Sequence, residues 1–331
     1  MAENWNSLSE RGSYFWVLLA AWMYKVLGRR VTLALLAPVI FFYYLNGRQQ
    51  RRASLAYLRR AHEHGLIAHK PGFWSGYPHF MSFAGSLVDK LAGWTGKISA
   101  DQVEGAEDPI FSAAKFNGKG GLVLTAHVGN PELIRAVATV GNRFAVTVIM
   151  HTNNAQQYNE VIRKFSPESR VSIIEVSQID VSVAMRLSEA VERGEWVVMA
   201  ADRLPPDGAR HQRAAISMPF LGGQVEYPIG PYVLAATLKC PVYFLLCLRS
   251  KGKKPFKILF RHFADRITLP RGNREQALRP YMAKYSELLA EAVAEAPYQW
   301  FNFYDYWNEL DDGASLAANA SHPSSQTETA I

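Results

Sequence analysis

Residues 122–136 read LVLTAHVGNPELIRA, and the hydrophobic period changes inside this one stretch. Residues 122–126 form a short apolar run containing Val123 and Thr125, the pattern of a strand buried on both faces. Asn130 is a good helix N-cap, Pro131 fits the first helical position, where its missing N–H costs nothing, and Glu132 falls in the first turn, where the helix dipole favours a carboxylate. The stretch therefore predicts a strand, a loop carrying His127 and a helix opening with Glu132. A histidine and a carboxylate at a strand end are what general-base chemistry needs: the imidazole takes a proton near neutral pH, and the carboxylate fixes its tautomer and stabilises the imidazolium. With nine His and 29 acidic residues in the chain, a His followed five positions later by Asp or Glu arises about 0.8 times by chance, so the spacing alone decides nothing. Context adds to it, because His127 alone among the histidines has such a carboxylate, and it stands at a strand-to-helix junction.

Outward from this stretch the same rhythm repeats. Residues 121–126, 144–150, 171–176, 196–200 and 242–248 read as buried strands. Residues 132–140, 154–165, 180–193 and 230–239 read as helices, and a long amphipathic helix spans 274–295 with Leu278, Met282, Tyr285, Leu289 and Val293 on one face. The expected fold is α/β: a mostly parallel or mixed central sheet flanked by helices, with active-site groups at the carboxyl ends of the strands.

The N-terminus is of another kind. Residues 14–24 (YFWVLLAAWMY) and 31–45 (VTLALLAPVIFFYYL) are apolar and aromatic, with Lys25, Gly28, Arg29 and Arg30 between them. Neither run reaches the roughly 20 apolar residues that span a bilayer. Glu3 and Glu10 precede the first run in place of a basic cluster, which argues against a secretory signal and keeps the chain on the cytosolic side. Followed by Arg48, Arg51, Arg52, Arg59 and Arg60, the runs suit a helical hairpin in the headgroup region of an anionic membrane, with packing on the protein's own core and a short span as alternatives. The domain reading is a hydrophobic membrane-association segment over 1–60, a catalytic domain over 61–310 and a disordered polar tail over 311–331.

At 331 residues, 49% hydrophobic and 20% charged, the chain is neither disordered, collagenous, coiled-coil nor polytopic. Cys240 and Cys247 are too few for a disulfide framework or a four-ligand zinc site, and both lie in an apolar run, so buried reduced thiols are expected. A net charge of +7 favours an anionic partner without choosing among nucleic acid, membrane and acidic protein.

The segment AHVGNPEL resembles the H-x4-D/E motif of the lysophospholipid acyltransferase superfamily, in the HxGNxE form of its lipid A lauroyl/myristoyl acyltransferase branch. GEWVVMAADRLP (194–205) resembles that branch's second block, a strand ending in Asp-Arg, here Asp202 and Arg203. MPFLGGQVEYPIGPYVLAATLKCPV (218–242) is similar to its third block, and APYQWFNFYDYW (296–307) to its C-terminal signature. Pro131 stands where the branch often has an aromatic residue, and Tyr298 where it often has Glu. The likeness runs over about residues 5–308. It implies a membrane-associated acyltransferase that moves a fatty acyl chain from an acyl thioester, on acyl carrier protein or as acyl-CoA, to a hydroxyl or amine of a lipid or glycolipid acceptor. It places the reaction at the cytoplasmic face of a bacterial inner membrane. His127 would deprotonate the acceptor and Glu132 would orient the imidazole. The transient oxyanion has candidate donors in backbone N–H groups near Pro131 or at Gly222 and Gly223, and in the Arg203 guanidinium. Asn130, Asp202, Arg203, Gly222 and Gly223 are thus the candidate substrate-binding residues; Arg203 has a structural salt bridge with Asp202 as its alternative role.

Lys251, Lys253, Lys254, Lys257 and Arg261 offer a basic stretch for an acidic carrier or anionic lipid, or simply a solvated hairpin. No cofactor or metal is expected: His151, His211 and His262 lack ligand spacing, NGKGG lacks the P-loop pattern, and no G-x-S-x-G elbow occurs. The basic residues match no nucleic-acid reader motif. Two other readings stand beside the carrier-dependent enzyme: an acyl-CoA-dependent lysophospholipid acyltransferase, and a non-catalytic lipid-binding scaffold on the same fold.

Overall fold

The computed structural model describes residues 10–94, 98–105, 118–130, 133, 145–150, 171–204, 215–270 and 272–307. The expected helices over 132–140 and 154–165, the polar tail, His151, His211, Pro131 and Glu132 lie outside them.

Apolar β-branched runs give the strands, in chain order β1 (Val103–Glu104), β2 (Gly121–Thr125), β3 (Val146–Met150), β4 (Val171–Glu175), β5 (Trp196–Ala200), β6 (Ala215–Phe220), β7 (Gly223–Pro228), β8 (Val242–Arg249) and β9 (Phe256–Ala264). Seven of them form one sheet in the order β1-β9-β8-β2-β5-β3-β4. Its pairings are parallel except β8 with β9, so the sheet is mixed. β2 lies between β5 and β8, in register Thr125 to Ala200 and Leu124 to Phe244. All three run the same way, so the chain leaves their carboxyl ends at one edge of the sheet, where open α/β sheets hold ligands.

Helices α1 (Glu10–Asn46), α2 (Arg48–Glu63) and α3 (Gly76–Trp94) precede the sheet; α4 (Val181–Glu192), α5 (Gly230–Leu238) and α6 (Arg274–Glu295) follow within it. The predicted apolar face of α6 is buried at Leu278, Met282, Tyr285, Leu289 and Val293. In α4 the carboxylate of Asp180 caps the helix by accepting from the Val183 N–H at 2.8 Å.

The N-terminus departs from the sequence reading. The break between the two runs is present as a kink with non-helical backbone at Gly28 (φ 74°, ψ 173°), but Trp22–Asn46, taken across it, is 25 residues long, enough by length and apolar composition to cross a membrane. The runs looked short because Lys25, Arg29 and Arg30 interrupt them, and basic residues do not stop a helix. One side of α1 meets α3, with the Phe41 ring edge-on to Tyr77 at a ring distance of 5.7 Å. Trp22, Val31, Leu35, Val39 and Phe42 are exposed.

Two parts of the fold went unread. β6 and β7 form a separate antiparallel hairpin through a turn with Leu221 at φ 43° and Gly222 at φ 73°, the positive pair that a two-residue type I′ turn demands. β9 occupies the basic stretch, where Phe256, Ile258, Leu259 and Phe260 are buried while Lys257 reaches the carboxylate of Glu295 at 2.5 Å.

Candidate active site

The loop after β2 is held on three sides. Gly129 takes φ +70°, and a Cβ there would stand 2.2 Å from the Cys247 carbonyl oxygen, so only glycine fits. The N–H of Asn130 donates to that same carbonyl at 2.7 Å, which fastens the loop to β8. The N–H of Gly129 donates to the Gln299 carbonyl at 2.8 Å, and the Phe301 N–H donates to the His127 carbonyl at 2.9 Å. On the third side, the Asn130 amide donates to the Ser86 carbonyl on α3 at 2.9 Å, and the Ser86 hydroxyl donates to the Gly129 carbonyl at 3.3 Å. Asn130 is buried, and its side chain anchors the loop to α3.

His127 is thereby fixed at the carboxyl edge beside the end of β5. Its Nδ1 lies 2.8 Å from Asp202 Oδ1, and its backbone N–H donates to Asp202 Oδ2 at 3.0 Å. The imidazole is 42% exposed and the Asp202 side chain 1%. Burial raises the carboxyl's pKa, but the His127 imidazole, its two hydrogen bonds and the nearby Arg203 guanidinium outweigh that and hold it well below the ordinary range. Asp202 is therefore an ionised, acceptor-only group. It places the imidazole proton on Nδ1 and leaves the Nε2 lone pair free to take a proton. The Tyr306 hydroxyl donates to the Asp202 carbonyl at 2.5 Å and steadies the backbone beneath it.

Arg203 completes the group. Its Nε lies 3.9 Å from Asp202 Oδ2, its Nη2 donates to the Phe301 carbonyl at 3.3 Å, and its guanidinium faces the Tyr304 ring at 5.6 Å. Among the described residues Nε is buried without a hydrogen-bond partner, a donor with unused capacity beside the dyad.

Of the residues singled out in the sequence, His127, Asn130, Asp202 and Arg203 meet at this edge. Gly222 and Gly223 belong instead to the β6–β7 turn. A Cβ on Gly222 would meet the His64 ring at 2.8 Å, and one on Gly223 the Trp307 ring at 2.5 Å, so both glycines let the hairpin close on α2 and the C-terminal aromatics. The N–H groups of Gly129 and Asn130 already have partners. Lys251, Lys253 and Lys254 ride on the β8–β9 turn, at the edge that carries His127. Among the described residues no three His, Cys, Asp or Glu side chains gather to hold a metal.

Sequence reasoning missed Gln299. Its amide donates to the Arg249 carbonyl and accepts from the Arg249 N–H, both at 2.8 Å, while its own carbonyl holds Gly129. It missed His79 as well, whose ring joins Ser54 Oγ to the Trp300 carbonyl, each at 2.9 Å. The signal for Gln299 was its place beside the buried Trp300 in the C-terminal motif; His79, on a helix far in sequence from both partners, gave none.

A family model described as "Bacterial lipid A biosynthesis acyltransferase" matches residues 87–309. The match begins within α3, so α1 and α2 lie outside it. No curated protein matches the chain.

Proposed function

Because the chain belongs to the bacterial lipid A biosynthesis acyltransferase family and is thus a lipid acyltransferase, we propose that it transfers a fatty acyl group from acyl carrier protein to a hydroxyl or amine of a lipid or glycolipid acceptor. The observation that carries the reading is the His127–Asp202 contact at the carboxyl edge of the sheet. Nε2 of His127 takes the acceptor's proton as its oxygen or nitrogen bonds to the thioester carbonyl carbon. The carbon–sulfur bond then breaks and the thiolate leaves, taking the proton back from the imidazolium. Asp202 supports the positive imidazole in the interval, and the Arg203 guanidinium is the donor for the transient oxyanion. The sequence motif gives the carboxylate's part to Glu132, whereas Asp202 occupies Nδ1; Asp202→Asn and Glu132→Gln separate the two assignments.

The exposed apolar face of α1, with Phe73 and Trp74 also exposed near it, supports seating of this edge on the cytoplasmic face of the bacterial inner membrane. The lysines of the β8–β9 turn support docking of an acidic carrier.

Lipid mass spectrometry of cells lacking the protein, complemented with wild type, His127→Ala or Asp202→Asn, tests the reaction. A lipid should lose the mass of one acyl group and regain it with wild type alone. Full complementation by His127→Ala would make the protein a scaffold. Titrating acyl carrier protein and acyl-CoA thioesters against the purified enzyme tests the donor, and equal rates would remove the carrier preference.

A further inference from the structure

Beside the dyad, on the β8 flank of the loop, lies an ion cluster that the mechanism does not use. The carboxylate of Asp89 on α3 is almost fully buried, its side chain 4% exposed, between two guanidiniums. Arg29 of α1 donates to it from Nε at 2.7 Å and from Nη2 at 3.1 Å, and Arg249, at the carboxyl end of β8, donates from Nη1 at 3.2 and 3.1 Å. Among the described residues, two cations on one anion leave this cluster with one excess positive charge. Burial lowers the Arg249 pKa, Asp89 opposes that, and the neighbouring Arg29 adds to the lowering, so the guanidinium is partly desolvated beside a second cation. The Arg29 and Arg249 side chains remain 27% and 34% exposed, and each guanidinium has five N–H donors, of which Asp89 takes only some.

The place matters as much as the charge. Asp89 lies one turn along α3 from Ser86, which holds Gly129, and Arg249 is two residues beyond Cys247, whose carbonyl holds Asn130. The cluster is thus joined to the catalytic loop through two elements. Exposed Lys251 and Lys253 follow on the β8–β9 turn, and Arg29 sits just past the bend of the apolar α1.

We propose that Arg29 and Arg249, oriented by Asp89, form a binding site for a phosphate ester beside the catalytic loop. Paired guanidiniums match phosphate oxygens in geometry and charge. The proposal deepens the acyl-transfer reading by naming the group that anchors a substrate or lipid next to His127. A phosphate of this kind is presented by the pantetheine arm of a carrier-bound thioester and by an anionic lipid headgroup.

The test measures binding, without turnover, on full-length protein in a His127→Ala background, so it stands even if the catalytic reading fails. Calorimetric titration compares 4′-phosphopantetheine with pantetheine, and flotation compares phosphatidylcholine vesicles with an equimolar phosphatidylcholine–phosphatidylglycerol mixture. The protein should prefer the phosphorylated partner in at least one arm by about tenfold, and Arg249→Gln and Arg29→Gln should each abolish most of that preference. Loss in the titration arm identifies the pantetheine phosphate, and loss in the vesicle arm the lipid headgroup. Arg249→Lys, which keeps the charge and the tether to Asp89 but not the fork, should weaken the preference about threefold while the protein stays folded. No preference in either arm, or a preference that survives both glutamine variants within twofold, overturns the site and leaves the cluster as a tether of α1.

Discussion

Asp202 holds His127 by two atoms of each residue: Oδ1 faces the ring Nδ1 at 2.8 Å while Oδ2 accepts the backbone N–H at 3.0 Å. One carboxylate thereby fixes the ring's tautomer and the position of the chain that bears it. Asp202 is in turn anchored through Tyr306, and His127 through Phe301, so both ends of the pair are tied to the C-terminal segment. The geometry is rigid where orientation matters and open only at Nε2.

Asp202→Asn offers one acceptor oxygen where two N–H donors need partners, and its amide N–H favours the wrong imidazole tautomer. Turnover should fall by about 10²- to 10⁴-fold, the usual worth of a positioned general base, with KM nearly unchanged because no binding contact is removed. Steady-state kinetics on an acyl thioester measure this. A turnover number within threefold of wild type would move the carboxylate's role to Glu132, and Glu132→Gln would then show the loss.

Gln299 ties the end of β8 to the catalytic loop through three hydrogen bonds. Gln299→Glu keeps the shape but turns a carboxylate oxygen toward the Arg249 carbonyl, while Gln299→Ala leaves both backbone groups of Arg249 unpartnered. Each should cost about 1–3 kcal/mol, and turnover should fall with the thermal midpoint because the side-chain bonds fix the residue whose backbone carbonyl holds Gly129. Thermal melts alongside kinetics decide it: a glutamate variant as stable as wild type would show that Gln299 is no clamp.

Cys240 and Cys247 are both buried, and burial pushes their thiols up to about 11 and about 12. At pH 8 the thiolate fraction of either is below about one in a thousand. Native protein should therefore leave a thiol-specific chromogenic reagent unreacted over the time in which denatured protein titrates two thiols. Rapid reaction of one native cysteine would show that the core opens readily at β8.

These features differ in how far the chain discloses them. The buried strands and the apolar face of α6 depend on local periodicity, and Leu278, Met282, Tyr285, Leu289 and Val293 lie where that period puts them. His127 is legible because a strand, an Asn-Pro helix start and a carboxylate coincide within a few residues. Asp202 is visible as a strand-end acid, but its pairing with His127 depends on β5 lying beside β2, with Thr125 opposite Ala200, and strand order is set by crossovers that no local pattern encodes. The same limit hides β9, whose buried residues stand between Lys257 and Arg261 in a stretch that reads as basic surface, and the Arg29–Asp89–Arg249 cluster, drawn from α1, α3 and β8.

His79 sets a limit on acid stability. Fully buried, with its Nε2–H donating to the Trp300 carbonyl and its Nδ1 accepting from Ser54, it is held neutral, and burial lowers its pKa to about 4, outweighing the opposing effect of the Trp300 bond. The unfolded chain takes up that proton near the ordinary histidine value of about 6.5. Between these values the unfolded state binds more protons than the folded one, so stability is full above about pH 6.5 and declines as pH falls toward 4. The loss amounts to at most about 3 kcal/mol. His79→Gln, which retains a donor for Trp300 but cannot be protonated, should flatten this part of the profile. Urea unfolding at closely spaced pH values measures it, and an equal slope in both proteins would show that other groups govern the acid limb.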